Sequence, residues 1–169
     1  FAFAQETTAH FRFPATVYDE RPLKGNIVWN SHAFNLTRRA GTLEAWVNPS
    51  TVSSAWRDVI YKGDNNYYLE ATSNQKSRPA AGGTFGQVFG TGRLTSNAWS
   101  HLAVTYDKVT LRLYINGVQV SSVARTGSIA SSTNPLQIGG DSIHGQYFQG
   151  MIDEVRVYNR ALSASEVLT

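Results

Sequence analysis

The amino-acid sequence predicts an all-β protein with the architecture of an antiparallel two-sheet jelly-roll β-sandwich. Roughly ten short runs of alternating, β-branched or aromatic residues recur at a spacing of about 8–12 residues. No long stretch carries the 3.6-residue periodicity of an amphipathic helix. Asn116-Gly117 separates two of the runs and is typical of a type I′ hairpin turn. With 169 residues, the chain is long enough to form one domain, residues 1–169, around a sizeable core.

The first half of the chain divides into strands separated by turn-forming residues. Residues 1–25 are interpreted as either an edge strand over Phe11–Tyr18, with Pro14 consistent with an edge, or a linker. Residues 72–83 are rich in Ser, Asn, Gly and Ala and predict a long loop. The strands predicted around them are Ile27–Trp29, Thr42–Asn48, Asp58–Lys62, Tyr67–Ala71 and Thr84–Phe89.

The second half of the chain continues this pattern and ends in a turn-and-cap signal. Its predicted strands are Trp99–Tyr106, Leu111–Ile115, Val118–Val120, Pro135–Ile138 and 147–158. In the last of these, the two-residue period of a strand places Asp153, Val155 and Val157 on one face. Ser163 and Glu166 have the spacing of a capping box, so we expect a short helix that packs the C-terminus against the sheet.

The charge pattern and the residue types argue against several classes of protein. The 15 Lys and Arg residues are dispersed and the net charge is only +3, so nucleic-acid binding is not expected. Attraction to an acidic glycan stays open. No apolar stretch approaches the roughly 18 residues of a membrane span. The absence of cysteine excludes disulfides and thiolate metal sites. A start at Phe1 instead of Met favours a processed or excised segment of a larger chain.

Several segments of the chain together resemble one known family. They are Thr42–Val47, Asn97–Asp107, Leu111–Gly117, Leu136–Gly140, Gly145–Gly150 and Ile152–Leu162. In combination they are similar to the bacterial laminin-G-like domains of the concanavalin A-like lectin/glucanase superfamily. The resemblance is nearly continuous from Thr42 onward, about three quarters of the chain. It implies a two-sheet jelly roll, attached to secreted or cell-surface multidomain proteins, that is mostly non-catalytic and binds glycans, other proteins or calcium.

The N-terminal part departs from the family pattern, and this bears on calcium. Members commonly carry a Phe-Asp-Glu type turn and an Asp-x-Ser-Gly-Asn loop that supplies calcium ligands. Here Tyr18-Asp19-Glu20 matches the turn, and the Ser-Gly-Asn loop is missing. The resemblance implies a structural Ca²⁺ with Asp153 as the first candidate ligand and Asp19 as the second. The alternative is that Asp153 pairs with an arginine or caps loop amides.

No catalytic residue is predicted. Retaining glycosidases need two carboxylates about 5–5.5 Å apart, and the Glu-x-Asp-x-x-Glu motif of the superfamily's hydrolases is absent. Asp153 and Glu154 are adjacent and point to opposite faces of a strand, while Glu44 and Glu70 stand alone in the sequence. The four histidines show no metal-binding spacing. The residues therefore favour a non-enzyme.

Glycan binding needs exposed aromatic rings and polar groups that reach sugar hydroxyls. Trp46 and Trp99 lie inside strand motifs, so we expect them in the core. Tyr67 and Tyr68 point to opposite faces, so one is expected inside and the other outside. Loop positions and residue types give the candidate ligand-binding set Trp56, Arg57, Tyr68, Lys76, Arg78, Asp141, His144 and Tyr147.

These observations predict a non-catalytic carbohydrate-binding module, in which a preformed loop rim holds a polysaccharide or glycan. Lys76 and Arg78 would meet a carboxylate or sulfate if the glycan is acidic. The alternative function is a structural or adhesion module that contacts a protein partner through loops or an exposed strand edge and has no sugar site.

Overall fold

The protein folds into two six-stranded antiparallel sheets that pack face to face. The computed structural model describes residues 40–167, Leu36 and the backbone of residues 9–11 and 27–29. Sheet A has the strand order β1-β12-β3-β8-β9-β10, and sheet B has the order β2-β11-β4-β5-β6-β7. The expected all-β jelly-roll sandwich is therefore confirmed. No helix in the described part of the chain is long and apolar enough to cross a membrane.

The strand bounds agree with most of the sequence predictions. The twelve strands are β1 Ala9–Phe11, β2 Ile27–Trp29, β3 Gly41–Pro49, β4 Arg57–Tyr61, β5 Tyr68–Thr72, β6 Ala80–Gly83, β7 Gly86–Phe89, β8 Ser100–Tyr106, β9 Thr110–Ile115, β10 Val118–Ala124, β11 Leu136–Ile138 and β12 Gly150–Tyr158. The predicted edge strand at Phe11 begins earlier than expected and pairs with β12. Its remaining residues, 12–18, lie outside the described part of the chain.

The core lies between the sheets and is built by alternation along most of the strands. In β3, Leu43, Ala45 and Val47 are buried in it, and they face Leu69 and Ala71 of sheet B. Tyr67 also belongs to this core, whereas Tyr68 lies outside the core cluster. Both tyrosines are nevertheless buried, because loops cover the outer side of sheet B as well.

The two strand tryptophans do not lie in the core, contrary to expectation. Trp46 alternates with Ala45 and Val47 and therefore faces outward from sheet A, where its ring lies 5.4 Å from that of His101. Trp99 immediately precedes β8 and is 44% exposed. Their motif positions indicated strands correctly, but not which face of each strand is buried.

A β-bulge in β12 overturns the expected face of Asp153. Asp153 pairs with Trp46 and Arg156 pairs with Glu44, so two residues of β12 oppose the single residue Ala45. Glu154, at the bulge, has a φ of +47°. The extra residue shifts the alternation, so that Val155 packs in the core while Asp153 lies beside Trp46 on the outer face. The prediction that Asp153 shares a face with Val155 is therefore wrong.

The predicted loop 72–83 contains a strand. Ala80–Gly83 forms β6, which pairs with β5 on one side and β7 on the other. Its Ala-Ala-Gly-Gly sequence has weak strand propensity, which is why the strand was missed. Small residues are needed here because a Cβ at Gly83 would collide with the backbone carbonyl oxygen of Asn66.

The hairpin at Asn116-Gly117 is confirmed, with φ values of +50° and +75° at the two turn residues. The returning strand β10 is longer than predicted, through Ala124. The expected C-terminal helix is a hydrogen-bonded turn in the described residues. One of the two capping-box contacts forms, since Glu166 Oε2 accepts a hydrogen bond from Ser163 N at 2.8 Å. The Ser163 hydroxyl donates to the same oxygen at 2.9 Å.

Candidate functional site

A loop of residues 139–149, between β11 and β12, is organised around the buried carboxylate of Asp141. This carboxylate accepts hydrogen bonds from the backbone amides of Ile143 (2.7 Å), His144 and Gln146 (3.2 Å). Burial alone would raise the pKa of Asp141, but these amide donors hold it below its usual value. The amide of Ser142 is held by Gln137 Oε1 at 3.1 Å. The loop is therefore preorganised by hydrogen bonds that satisfy its own backbone.

The same loop displays three side chains at the protein surface. Ile143 is 64% exposed and Tyr147 is 43% exposed. The His144 side chain is 40% exposed. The Tyr147 ring lies directly against the backbone of Gly140, where a Cβ would collide with it. A large ring is thus fixed on a rigid support while almost half of its surface stays open.

A fourth side chain joins this surface from the β4–β5 turn. Asp64 Oδ2 lies 3.2 Å from His144 Nε2, and the Asp64 side chain is 66% exposed. The buried Tyr61 hydroxyl donates to Asp64 Oδ1 at 3.4 Å, and the Tyr61 ring meets the His144 ring edge-on at 6.3 Å. We call Asp64, Ile143, His144 and Tyr147 the rim. It combines aromatic and aliphatic surface with a carboxylate acceptor and an imidazole.

Beneath the rim, three carboxyl groups are buried together. Asp58 and Glu70 pair across β4 and β5, and both lie within reach of Asp141. The three residues are at most 2% exposed. Neither oxygen of Asp58 receives an N–H or O–H from the described residues. A proton must therefore be shared among the three carboxyl groups, because neighbouring ionised carboxylates repel each other strongly.

Burial and the neighbouring carboxyl groups raise the pKa of Asp58 far above its usual value. Burial likewise raises the pKa of Glu70, to about 7. The sequence interpretation that Glu70 stands alone is thus corrected: the fold places a second carboxyl beside it. Since both are sealed from solvent, they do not form an open cleft for attack on a polymer.

Three of the predicted binding residues, Trp56, Arg57 and Tyr68, belong to sheet B or the segment leading into it. A backbone bridge from Asp58 to Tyr147 places the start of β4 beside the rim loop. Trp56 is half-buried and its ring meets Tyr68 edge-on at 6.4 Å and Phe89 at 6.2 Å. Tyr68 is only 5% exposed, and its hydroxyl accepts a hydrogen bond from Gln87 Nε2 at 2.6 Å. Arg57 begins β4 opposite Thr72 and is half-buried. Trp56 therefore acts as a cover over Tyr68.

The predicted basic residues lie in a separate loop, residues 73–79, between β5 and β6. Lys76 is exposed, whereas Arg78 is half-buried and its Nε donates to the Gln75 carbonyl oxygen at 2.9 Å. Ser73 Oγ fixes the loop by donating to the Arg78 carbonyl oxygen at 2.7 Å. This loop follows β5, whereas Asp64 precedes β5, so the five residues of the strand separate the loop from Asp64. At about 3.3 Å per residue, the strand spans roughly 15 Å.

The first candidate calcium ligand, Asp153, lies on sheet A, whereas the rim lies on the outer side of sheet B. Asp153 is half-buried on sheet A, where its Oδ1 accepts a hydrogen bond from Glu154 N at 2.8 Å. Asp19 lies outside the described residues. Within residues 40–167, no group of three or more His, Cys, Asp and Glu side chains is arranged to hold a metal ion.

The sequence therefore predicted Asp141, His144 and Tyr147, which the structure brings together, and missed Asp64 and Ile143. Asp64 sits in a Gly-Asp-Asn-Asn turn, and its partner His144 is 80 residues away. No local spacing signals that contact. Ile143 did carry a signal, because an isolated large apolar residue in a polar, Gly-rich loop is unusual.

The sequence of the chain matches one family model over residues 23–168, described as the concanavalin A-like lectin/glucanases superfamily, Laminin_G_3. No curated protein matches the chain. Several solved structures are similar to the chain. One is domain 4 of AbnA, an extracellular GH43 arabinanase from Geobacillus stearothermophilus, in complex with arabinotriose, with a TM-score of 0.65 and 21% identity. The match covers 84% of this chain and 70% of that one.

A second similar structure is the CBM40 of the Ruminococcus gnavus IT-sialidase bound to α2,3 sialyllactose, with a TM-score of 0.63 and 13% identity over 78% of this chain and 82% of that one. A third is the binding domain of botulinum neurotoxin DC in complex with SialylT, with a TM-score of 0.62 and 11% identity. That match covers 96% of this chain but only 44% of the other. At identities this low, these structures show a shared fold alone. The family match over residues 23–168 shows that the chain belongs to the laminin-G-like family of the concanavalin A-like lectin/glucanase superfamily.

Proposed function

We propose that this protein is a non-catalytic carbohydrate-binding module and that its glycan site is the rim of Asp64, Ile143, His144 and Tyr147. The observation that carries this proposal is the Tyr147 ring, 43% exposed on a loop whose amides are capped by buried Asp141. Aromatic faces attract the C–H groups of sugars, and a rigid support limits the entropy lost on binding. Asp64 and His144 supply hydrogen-bonding groups for hydroxyls.

The structural neighbours support a glycan as the ligand, since domains of this fold have been solved with arabinotriose and with sialyllactose. The burial of Asp58 and Glu70 supports a role without catalysis, because neither carboxyl reaches solvent. We further propose that the module belongs to a secreted or cell-surface protein that carries other domains. An extracellular arabinanase that contains a domain of this fold is consistent with that placement.

The test is affinity electrophoresis of the protein in gels that contain arabinan, galactan or other soluble polysaccharides, followed by calorimetry with an oligosaccharide of the polymer that retards it. We expect Tyr147→Ala to weaken binding at least tenfold, about 1.4 kcal/mol. The stability of this variant should stay near that of the native protein because the ring is largely exposed.

Trp99→Ala is the matched control, because Trp99 is an equally exposed aromatic residue next to the other sheet. We expect it to leave binding unchanged. If Tyr147→Ala binds the polysaccharide fully and Trp99→Ala no longer binds it, the glycan site lies on sheet A and not at the rim. Retardation by no polymer at all would contradict the carbohydrate-binding proposal.

A structural calcium ion at Asp153 stays a prediction, and thermal unfolding tests it. If Asp153 holds calcium, added CaCl₂ raises the Tm of the native protein, EDTA lowers it, and Asp153→Asn removes both responses. Equal Tm values in EDTA and in calcium would contradict the prediction. Asp19→Asn in the same assay shows whether the second candidate ligand takes part.

The second candidate function is that of an adhesion module, and one surface favours it. Trp46, Trp99 and Met151 lie at one end of the outer side of sheet A, with Trp99 44% and Met151 52% exposed. Large apolar residues grouped on a surface are typical of protein contacts. If no polysaccharide binds, sedimentation at increasing protein concentration tests this function. Association that Trp99→Ser abolishes would support it.

A further inference from the structure

The rim and the residues beneath it concentrate negative charge. Asp64 contributes a carboxyl group whose side chain is 66% exposed. Asp141 is buried within the loop that carries Tyr147, and the proton-sharing pair of Asp58 and Glu70 adjoins it. Four carboxyl groups therefore face one small area of surface.

Three of these four groups are buried. Their negative charge, reduced by the proton that Asp58 and Glu70 share, acts on a ligand with little screening. Charges shielded from water are screened less than exposed charges. The Tyr61 hydroxyl, which touches the rim through Asp64, responds to this environment. Burial raises its pKa, and the charges of Asp64 and Asp141 raise it further. Both charges act in the direction of a negative local potential.

The basic residues on the elements beside the rim, in the described part of the chain, are Arg57, Lys62 and His144. Arg57 is half-buried next to Asp58 and acts on Glu70 through its backbone N–H. The His144 imidazole is the basic group of the rim itself, and it already lies against Asp64. Lys62 is fully buried, and its ammonium group donates to the Asn134 carbonyl oxygen at 2.7 Å. The exposed Lys76 belongs to the loop at the other end of β5.

We propose that the rim selects uncharged glycans and discriminates against glycans that carry carboxylates, an inference that rests on the proposed function. The Asp64 carboxylate accepts hydrogen bonds from the hydroxyl groups of a neutral sugar. Tyr147 and Ile143 contact its C–H surface. A uronate or sialyl carboxylate at the same position would be repelled by these carboxyl groups and would have few hydrogen-bond donors near it. The alternative, expected from the sequence, is that Lys76 and Arg78 bind an acidic glycan.

The experiment compares ligands that differ in charge and share a sugar framework. One pair is galactan and polygalacturonate in affinity gels, and the other is lactose and sialyllactose in calorimetry. We expect the neutral member of a pair to bind at least tenfold more tightly at low salt. Its affinity should change little with salt, whereas residual binding of the acidic member should rise as salt screens the repulsion.

Asp64→Asn keeps the shape of the side chain and removes its charge, so it should shrink the neutral-to-acidic affinity ratio severalfold. Glu166→Gln changes the net charge equally at a distant exposed turn and should leave the ratio unchanged. Tighter binding of the acidic member, lost in salt and in Lys76→Ala, would overturn this inference and leave the carbohydrate-binding proposal standing. Binding of neither member by the native protein, with no polysaccharide retarding it, would overturn both.

Discussion

Asp58, Glu70 and Asp141 lie together on the outer side of sheet B, and protons bind to them differently. Asp58 and Glu70 hold protons more tightly in the folded protein than in the unfolded chain, since burial raises both pKa values. Asp141 holds its proton less tightly, because three backbone amides favour its ionised form. The stabilising contribution of Asp141 is therefore present above the usual aspartate pKa and is lost as the pH falls.

For Asp58 and Glu70, stability depends on pH in the opposite direction from the contribution of Asp141. Between about pH 4.5 and pH 7, the folded state binds more protons than the unfolded state, so stability falls as the pH rises. We expect the free energy of unfolding to drop by roughly 1–3 kcal/mol over this range. Urea unfolding at a series of pH values measures it.

Asp58→Asn is the variant that checks this explanation. An amide donates hydrogen bonds to Glu70 without needing the shared proton, so the variant should show a flatter dependence of stability on pH. Glu166→Gln changes a carboxyl that is exposed, and it should keep the native slope in this range. An unchanged slope in Asp58→Asn would show that the pair does not share a proton.

At the scale of elements, close approach of the backbone determines which strands form. The β4–β5 turn carries Asp64 of the rim, and strand β6 passes directly against it. Asn66 in that turn is held by a hydrogen bond from its own amide to Gly63 O at 2.9 Å and by its side-chain amide donating to Ala130 O. Gly83 permits the contact, because any side chain there would meet the Asn66 backbone.

Gly83→Ala should therefore destabilise the protein by about 1–3 kcal/mol, because rigid backbone and not a flexible side chain occupies the space. Thermal or urea unfolding measures the loss. Gly92→Ala is the matched control, since nothing lies within 4 Å of a Cβ at that position, and we expect it to be close to neutral. Equal stability of the two variants would contradict the close packing of β6 on the turn.

At the scale of the whole molecule, the C-terminal segment closes the outer side of sheet A. Leu162 and Val167 pack on Ala103 and Tyr114 and form a second, smaller apolar cluster. Thr42 anchors this segment: its Oγ1 donates to the Arg160 carbonyl oxygen and accepts from Leu162 N, both at 2.9 Å. Glu44, under the same segment, accepts hydrogen bonds from Arg156 and Tyr158 at 3.0 Å.

Replacing Thr42 by valine leaves the shape of the side chain and removes both hydrogen bonds, so Thr42→Val should cost about 1–3 kcal/mol of stability. Its cross-strand partner Thr105 offers the control. The Thr105 hydroxyl is buried without a hydrogen-bond partner in the described residues, so Thr105→Val should be neutral or stabilising. Urea unfolding of the two variants measures the contrast, and equal losses would argue against the anchor.

Local patterns predicted most of the strands and part of the site. The alternation in Leu111–Ile115 and the Asn116-Gly117 turn identify β9 and its hairpin because both signals depend on adjacent residues. Asp141, His144 and Tyr147 were predicted as site residues because they share one short loop. Strand β6 and the face of Asp153 were not predictable, since a sheet partner and a bulge decide them.

The sequence by itself determined the fold class, most of the strands and three residues of the candidate loop, Asp141, His144 and Tyr147. Only the tertiary structure decided that Asp64 meets His144 and that Glu70 lies beside Asp58, contacts that join different parts of the chain. It also decided that Trp46 and Trp99 face outward. The physical reason is that periodicity specifies which residues alternate, whereas burial and charge depend on what packs against each face.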